Sequence, residues 1–292
     1  MCAARVPAGA ARRDSPVADG FFQSVVPESE DAHIDVDTSV AHIARVYDYW
    51  LGGKDNFAPD REAGNEAIAA YPQLVSSVRA NRAFLARTVR YLAGEVGIRQ
   101  FLDIGTGIPT ASNTHEVAQA IAPESRVVYA DNDPMVLAHA RALLRSAPEG
   151  ATAYLDADVR DPGEILRAAA GQLDFSRPVA VMLIAVLHFV SEDEGPQEIV
   201  SRLMADLPPG SSLTISHVPS DMHATAMKAM GDRLNRLLAQ RSTYRSKEQV
   251  TRFFDGLDLV SPGVVPIQEW RPATAAEAGA AAAMWGGVGL KP

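Results

Sequence analysis

Hydrophobic residues recur with helical spacing along the first third of the chain. The stretch “TSVAHIARVYDYWLGG”, which begins at Thr38, places its apolar residues on one helical face and ends in two glycines, so it predicts an amphipathic helix. Two further stretches, “DREAGNEAIAAY” and “QLVSSVRANRAFLARTVRYLAGEVG”, predict a second helix and a long third helix that ends at a glycine. We therefore expect a helical cap over residues 37–97.

After Gly97, short runs of Val, Ile and Leu alternate with helical stretches, which is typical of a parallel sheet with crossover helices. The predicted strands are “QFLDI”, “RVVYA”, “TAYLDA”, “PVAVMLIA”, “SSLTISHV”, “LDLVSPGVVPI” and “MWGGVGLK”. The predicted helices between them cover about 112–122, 134–146, 162–171, 193–206 and 220–240. Ser246 and Gln249 form a capping box that begins one more helix. Residues 98–292 are therefore expected to form one α/β core.

The composition is that of a globular protein rather than a nucleic-acid-binding one. Of the 292 residues, 47% are hydrophobic and 22% are charged, and the formal charge of −9 disfavours a nucleic-acid partner. The single cysteine, Cys2, leaves no intramolecular disulfide and no cysteine-based metal site, and we predict no metal.

Residues 1–36 have neither a hydrophobic period nor the apolar segment of a signal peptide, so they predict a disordered tail. No apolar run reaches the roughly 18 residues that a membrane span needs. From these two features we expect a cytoplasmic protein with no membrane partner.

Two glycines one residue apart follow the first predicted strand, in “QFLDIGTGIPT”. At the carboxyl edge of a parallel sheet, Gly105 and Gly107 would let the backbone bend sharply and approach a ligand. Dinucleotide-binding chains usually carry a third glycine where this chain has Thr110, which disfavours a nicotinamide cofactor. Asp103 completes the pattern D-x-G-x-G, which resembles the first motif of class I S-adenosylmethionine-dependent methyltransferases. A plain tight turn is the alternative interpretation.

Acidic residues follow the next two predicted strands. Asp131 closes the second strand, at about the distance along the chain at which an acid meets ribose hydroxyls in nucleotide-binding folds. Asp158 stands where class I methyltransferases have an acid that accepts from the adenine amino group; a solvated loop acid is the alternative. Asp133 and Asp161 each precede a proline and fit the role of a helix cap better.

A specific family resemblance combines these features. The chain resembles the S-adenosyl methyltransferase-like family that is abundant in actinobacteria and was first catalogued as a domain of unknown function, a family of class I enzymes. The resembling stretches are “ARVYDYWLGGKDNF”, “RANRAFLARTVRYL”, “IRQFLDIGTGIPT”, “HEVAQAIAPESRVVYADNDPMVLAHARALL”, “VAVLHFV” and “MWGGVGLKP”. They span residues 38–292.

The resemblance implies a Rossmann-like fold, with a seven-stranded, mostly parallel sheet, helices on both faces and an N-terminal helical lid over the site. It implies S-adenosyl-L-methionine as cofactor and S-adenosyl-L-homocysteine as product. In the predicted lid, Lys54 could meet the ligand carboxylate while Tyr47 and Trp50 exclude water; a plain helix terminus with a surface lysine is the alternative. Asn81 and Arg82 could reach the methionine end, and exposed polar positions of a helix are the alternative interpretation of these two residues. The predicted cofactor-binding residues are Tyr47, Lys54, Arg82, Asp103, Gly105, Thr106, Gly107, Asp131, Asn132, Asp158, Val159 and Ala185.

The predicted function is methyl transfer to an oxygen, nitrogen or carbon nucleophile of a small molecule. His188, after the fourth strand, is the candidate general base, with His217 second and a structural histidine as the alternative. The stretch “TISHVPSDMHATAM” departs from the expected family pattern, in which small polar residues follow the Ser-His step. It carries Met222, His223 and Met227 on a predicted substrate-facing helix. A non-catalytic module that binds the adenosyl ligand, and a nicotinamide-dependent oxidoreductase, are the competing hypotheses.

Overall fold

The computed structural model describes residues 37–143 and 145–292, and the predicted tail of residues 1–36 lies outside this part of the chain. The helices are α1 (Ile43–Leu51), α2 (Ala58–Ala70), α3 (Leu74–Tyr91), α4 (Thr114–Ile121), α5 (Pro134–Leu143), α6 (Pro162–Ala169), α7 (Pro196–Ala205), α8 (Ala224–Leu237), α9 (Lys247–Arg252) and α10 (Ala275–Ala278). The strands are β1 (Gln100–Ile104), β2 (Arg126–Asp131), β3 (Ala151–Asp156), β4 (Ala180–Ile184), β5 (Ser212–His217), β6 (Asp258–Leu259), β7 (Val265–Pro266) and β8 (Trp285–Leu290). Each predicted helix and strand has a counterpart in this order.

The strands form one sheet in the order β3-β2-β1-β4-β5-β8-β6, and β7 also pairs with β8. β1 to β5 run parallel, while β8 runs antiparallel to β5. Because helices connect the parallel strands, their carboxyl ends meet at one edge of the sheet. The order reverses between β1 and β4, and ligands of such sheets bind in the crevice at this point.

The last predicted strand before β8 differs in the structure. The prediction of one strand over “LDLVSPGVVPI”, and hence of seven strands, is wrong in detail because Ser261, Pro262 and Gly263 interrupt it. Two pairs of residues remain, β6 and β7, and both hydrogen-bond to the same edge of β8. Pro262 cannot donate to a ladder and Gly263 has a positive φ of 86°, so the chain turns away between the two pairs.

The two faces of the sheet are buried under separate hydrophobic clusters. Leu102 and Ile104 of β1 pack into one cluster with residues of α6 and α7. Phe101, on the opposite face, packs into a second cluster with Phe84 and Val89 of α3. This alternation follows from the two-residue period of a strand. α3 therefore covers the sheet directly as well as belonging to the N-terminal helices.

The N-terminal helices lie over the carboxyl edge of the sheet. α1 ends where the sequence predicts, at Gly52 with φ 86°, but it begins after His42 rather than at Thr38. The imidazole of His42 caps the helix, accepting from the backbone N–H of Ala44, and its Nδ1 lies 2.9 Å from Asp133 Oδ2 in the loop after β2. Together with α2 and α8, α1 forms a third hydrophobic cluster around Trp50. None of the described helices combines the length and apolarity needed to cross a bilayer.

Candidate functional site

The glycine loop after β1 forms the floor of a cavity at the carboxyl edge of the sheet. Gly105 has φ 74°, and a Cβ there would lie 2.4 Å from Val186 Cγ2, so only glycine fits. Gly107 has φ 67° with open space beside it. Its backbone N–H donates to Asp131 Oδ2 at 2.9 Å. The loop and the end of β2 are therefore held together at the predicted ligand site.

Asp103 lies under this loop and is almost fully buried. Thr114 Oγ1 donates to its Oδ2 at 2.6 Å, and Thr106 Oγ1 donates to its backbone carbonyl at 3.3 Å. Burial raises the pKa of the Asp103 carboxyl to about 6, against the opposing effects of the Thr114 hydrogen bond and the Arg82 charge. A positive charge on a ligand bound near Asp103 would favour the ionised carboxylate and would therefore lower this pKa.

Asp131 faces the same cavity from the end of β2. Its Oδ1 accepts from the backbone N–H of Asp133 at 3.0 Å, and burial raises its pKa. Each carboxylate oxygen offers two lone pairs, so both oxygens retain accepting capacity beyond these backbone bonds. The predicted cap role of Asp133 is confirmed, because its Oδ1 accepts from the backbone N–H of Met135.

The end of β3 contributes a more exposed acid. Asp158 Oδ2 accepts from Asn132 Nδ2 at 2.8 Å, and its Oδ1 accepts from the backbone N–H of Arg160 at 2.9 Å. The Arg160 guanidinium also lies 3.2 Å from Asp158 Oδ1. Val159 is buried beside them and lines the cavity. The predicted cap Asp161 is confirmed, since its side chain accepts from the backbone N–H of Glu164.

α1 and α3 close the cavity from above. Asn81 Nδ2 donates to the Tyr47 hydroxyl at 3.0 Å, and Arg82 Nη2 donates to the Ser112 carbonyl at 3.1 Å. Tyr47, Asn81 and Arg82 line the cavity, as does Trp50. Lys54 does not: its side chain is exposed and stands apart from the cavity lining, because the chain leaves α1 at Gly52 toward solvent. The structure therefore does not bring Lys54 to the cavity, and its exposure agrees with the alternative of a surface lysine at a helix terminus.

The segment after β4 brings the catalytic candidate to the cavity. Ala185 lines it with an unusual φ of 55°, a strained conformation of the kind that concentrates at functional sites. His188 is buried and lines the cavity, and its Nδ1 has no hydrogen-bond partner among the described residues. Burial, with the neighbouring His217 and Arg245, holds the His188 pKa well below its usual value, so the ring is neutral.

His217, the second candidate base, is not part of the cavity lining. It is fully buried, its Nε2 accepts from Arg245 Nη1 at 3.0 Å and its Nδ1 faces the Val218 carbonyl at 2.8 Å. Burial lowers its pKa to about 3. Both ring nitrogens are therefore engaged within the protein, which favours a structural role for His217 over the alternative assignment of proton transfer.

Met222, His223 and Met227 are the residues by which the sequence departs from the expected family pattern. The structure brings one of these three to the cavity. Met227 of α8 lines it, whereas Met222 and His223 do not. His223 instead precedes α8 with φ 46° and packs against Tyr71, with ring centroids 5.7 Å apart.

Some residues of the site carry no recognisable mark in the sequence. Arg245, fully buried, donates to the carbonyls of Leu187 and Val190 at 2.8 and 2.7 Å and so fixes the segment that carries His188. Thr114 was predicted only as part of a helix, not as the partner of Asp103. A Thr at a helix start is common, and an isolated arginine has no motif, so neither could be found without the fold.

Unpartnered polar atoms concentrate on the cavity wall. The atoms buried without a hydrogen-bond partner that line it are Tyr71 Oη, Asn81 Oδ1, Arg82 Nε, Thr110 Oγ1 and His188 Nδ1. Buried polar groups in folded proteins are almost always hydrogen-bonded. Groups left unsatisfied around one cavity, beside the buried Asp103 and the half-buried Asp131, fit a polar ligand with several donors and acceptors, as an adenosyl amino acid has. The remaining predicted residues, Thr106 and Asn132, also line this cavity.

The sheet order, the glycine loop, the acids in the last residues of β1 and β2 and the acid just after β3 are those of a class I S-adenosylmethionine-dependent methyltransferase of Rossmann-like fold. A family model described as S-adenosyl methyltransferase matches residues 29–292, and the chain belongs to this family. Its cofactor is S-adenosylmethionine. The match also argues against the nicotinamide alternative.

Two solved structures from actinobacteria are similar over nearly their whole length. A DUF574 family protein of Streptomyces avermitilis is 45% identical, with 88% of this chain and 99% of that chain covered and a TM-score of 0.85. A protein of Thermobifida fusca described as a candidate methyltransferase is 42% identical, with 87% and 96% covered and a TM-score of 0.79. No curated protein matches this chain significantly.

Proposed function

We propose that this protein transfers the methyl group of S-adenosylmethionine to a nucleophile of a small molecule, with His188 as general base. The observation that carries the proposal is the cavity itself: carboxylates at the ends of β1, β2 and β3 stand along one wall, and His188 stands on the adjoining β4 side. An acceptor that lies beside β4 would face both the bound cofactor and this imidazole.

The residues on the β1–β3 side would hold the cofactor. Asp131 would accept from the ribose hydroxyls, because its oxygens retain free lone pairs above the Gly107 loop. Asp158 and Asn132 would meet the adenine. Arg82, with an unpartnered Nε, would meet the carboxylate of the methionine part, and the buried Asp103 favours the positive charge of its ammonium group.

When bound, S-adenosylmethionine would supply an electrophilic methyl carbon. The acceptor oxygen or nitrogen would form a bond to this carbon while the carbon–sulfur bond breaks and its electron pair stays on sulfur. The acceptor would lose its proton in the same reaction. His188 accepts that proton at a ring nitrogen, which it can do because burial keeps the ring neutral. Tyr47 and Trp50 cover the site from α1 and exclude water. Positioning by the chain accounts for the rest of the rate enhancement.

Calorimetric titration with S-adenosylmethionine and S-adenosylhomocysteine tests the cofactor assignment, with NADH as a negative ligand. Asp131→Ala should abolish measurable binding. The matched control is Asp156→Ala, because Asp156 pairs with Asp131 in the sheet register but is exposed and outside the cavity lining. Absence of binding by the unaltered protein, or equal binding by Asp131→Ala, would overturn the assignment of the site.

A further inference from the structure

Beyond the polar cofactor wall, the cavity extends into an apolar chamber under the N-terminal helices. We define this chamber by residues that line the cavity and also belong to the third hydrophobic cluster: Trp50, Tyr71, Val78, Met227, Met230 and Leu234. Each of these residues is at most 6% exposed. The walls of the chamber are therefore shielded from bulk solvent, and a group that packs against them is largely desolvated.

The chamber has no charged wall. Among the described residues, those that line the cavity from 71–78 and from α8 are apolar, apart from Tyr71 and Ser77. Asp48 lines the cavity nearby, but its Oδ2 already accepts from Asn56 Nδ2 and from the backbone N–H of Asp55, both at 2.9 Å. A negative charge on a molecule inside would meet no cationic partner in the chamber, and an unpaired buried charge is strongly disfavoured.

The cavity nevertheless offers two polar contacts, one in the chamber and one on the β4 side. Tyr71 Oη and His188 Nδ1 are both buried, both line the cavity and both lack a hydrogen-bond partner among the described residues. Such groups are costly unless a bound molecule satisfies them. The occupant should therefore carry one or two neutral polar groups on an apolar frame.

The side chains that line the chamber favour an aromatic ring on the bound molecule. Trp50 and Tyr71 provide flat aromatic surfaces, and Met227 and Met230 are unbranched thioethers that adapt to irregular shapes and make favourable contacts with aromatic rings. Gly231, between the methionines and Leu234 in α8, lets the Tyr244 ring lie against the helix, since a Cβ there would be 3.1 Å from Tyr244 Cε2. Tyr244 thus adds a third aromatic ring to the lining.

We infer that the methyl acceptor is an uncharged, hydroxylated aromatic molecule whose ring occupies the apolar chamber and whose hydroxyl reaches His188. This inference rests on the proposed function, since the chamber is the acceptor site only if the adjoining wall holds the cofactor. The ring is stabilised by desolvation against Met230 and its neighbours, and the hydroxyl satisfies the unpartnered imidazole.

The test uses naphthol as the neutral probe and hydroxynaphthoate, which adds a carboxylate to the same frame, as the charged one. Both are titrated into protein saturated with S-adenosylhomocysteine, whose own affinity is measured first for every variant. Met230→Gln places an amide in the chamber at similar volume, and Val78→Phe fills the chamber without changing its polarity. The matched control is Leu237→Gln, on the same helix but exposed and outside the lining.

The expected result is naphthol binding at least tenfold tighter than hydroxynaphthoate binding. Naphthol binding should weaken at least tenfold in Met230→Gln and Val78→Phe, with S-adenosylhomocysteine affinity unchanged and Leu237→Gln unaffected. Equal or tighter binding of hydroxynaphthoate, no binding of either probe, or unchanged naphthol binding in Val78→Phe would overturn the inference while leaving the cofactor site intact. Failure of S-adenosylhomocysteine itself to bind would instead refute the proposed function, and the inference with it.

Discussion

The backbone N–H of Gly107 donates to Asp131 Oδ2 across 2.9 Å, which joins the loop after β1 to the end of β2. Asp131 thus both shapes the glycine loop and presents accepting oxygens to the cavity. A substitution at this position can be designed to separate the two roles, because asparagine keeps one oxygen acceptor while alanine keeps none.

Asp131→Asn should weaken S-adenosylhomocysteine binding about tenfold, and Asp131→Ala at least a hundredfold, since hydrogen bonds to a charged group contribute about 1.5–3 kcal/mol each. Calorimetric titration of both variants beside Asp156→Ala measures the difference. Equal losses in the two variants would show that the glycine loop does not depend on this acceptor.

Gly105→Ala should destabilise the protein by about 3 kcal/mol or more, because it combines a left-handed φ of 74° with a 2.4 Å clash against Val186. Gly107→Ala, with a similar φ and open space, should lose only about 1 kcal/mol. Urea unfolding of both variants, and of Gly105→Ala combined with Val186→Gly, measures the clash, because glycine removes both the Cγ2 atom and the Cβ atom that lies 2.7 Å away. If removing Val186 restores no stability, the clash is not the cause.

Asp103→Asn should stabilise the ligand-free protein at pH 8. Because folding raises the pKa of this carboxyl from 3.8 to about 6, the folded state binds its proton more tightly than the unfolded state. Stability therefore falls as pH rises from about 4 to about 6, and the full penalty, on the order of 3 kcal/mol, persists above that range. Asparagine removes the penalty and keeps an oxygen for the Thr114 hydroxyl.

Urea unfolding of Asp103→Asn at pH 5 and pH 8 measures this effect, and the gain should be larger at pH 8. Asp174→Asn is the opposite control, because hydrogen bonds from Ser176 lower the pKa of the Asp174 carboxyl and its ionised form is favoured by folding. The same Asp103→Asn variant should bind S-adenosylhomocysteine more weakly. A variant that is less stable at pH 8 would contradict the direction of the shift.

Arg245→Met should destabilise the protein by about 3 kcal/mol or more, because it leaves the buried carbonyls of Leu187 and Val190 and the Nε2 of His217 without a donor. Thermal unfolding measures this loss. Arg233→Met is the control, since Arg233 pairs with Glu66 at the surface and should contribute less than about 1 kcal/mol.

His188→Gln should leave S-adenosylhomocysteine affinity within twofold and, with an accepted hydroxyl substrate, lower turnover by about 10²–10⁴-fold. The folded His188 pKa lies well below 6.5, so turnover of the unaltered protein should stay constant as pH falls through 6.5. Unchanged turnover in the variant would contradict the assignment of this base, and a decline centred on the ordinary histidine pKa would contradict the lowered pKa of His188.

Local patterns determined much of this protein. The βα alternation predicted the strands from β1 to β5 and β8, because each combines a short apolar run with turn residues at its ends. Ser246 and Gln249 predicted the start of α9, and the capping box is present. The spacing of Asp103, Gly105 and Gly107 predicted the ligand loop, since a sharp turn after a parallel strand depends on residues next to one another in the chain.

Tertiary packing alone decided which polar residues meet. Lys54 adjoins a lid helix in sequence but is exposed, whereas Arg245, distant in sequence, fixes the segment that carries His188. His188 follows β4 and His217 ends the neighbouring strand β5, yet only His188 lines the cavity, while Arg245 engages the ring of His217. A side chain's partners depend on how distant elements pack, and hydrophobic periodicity specifies the buried face of an element without specifying what lies against it.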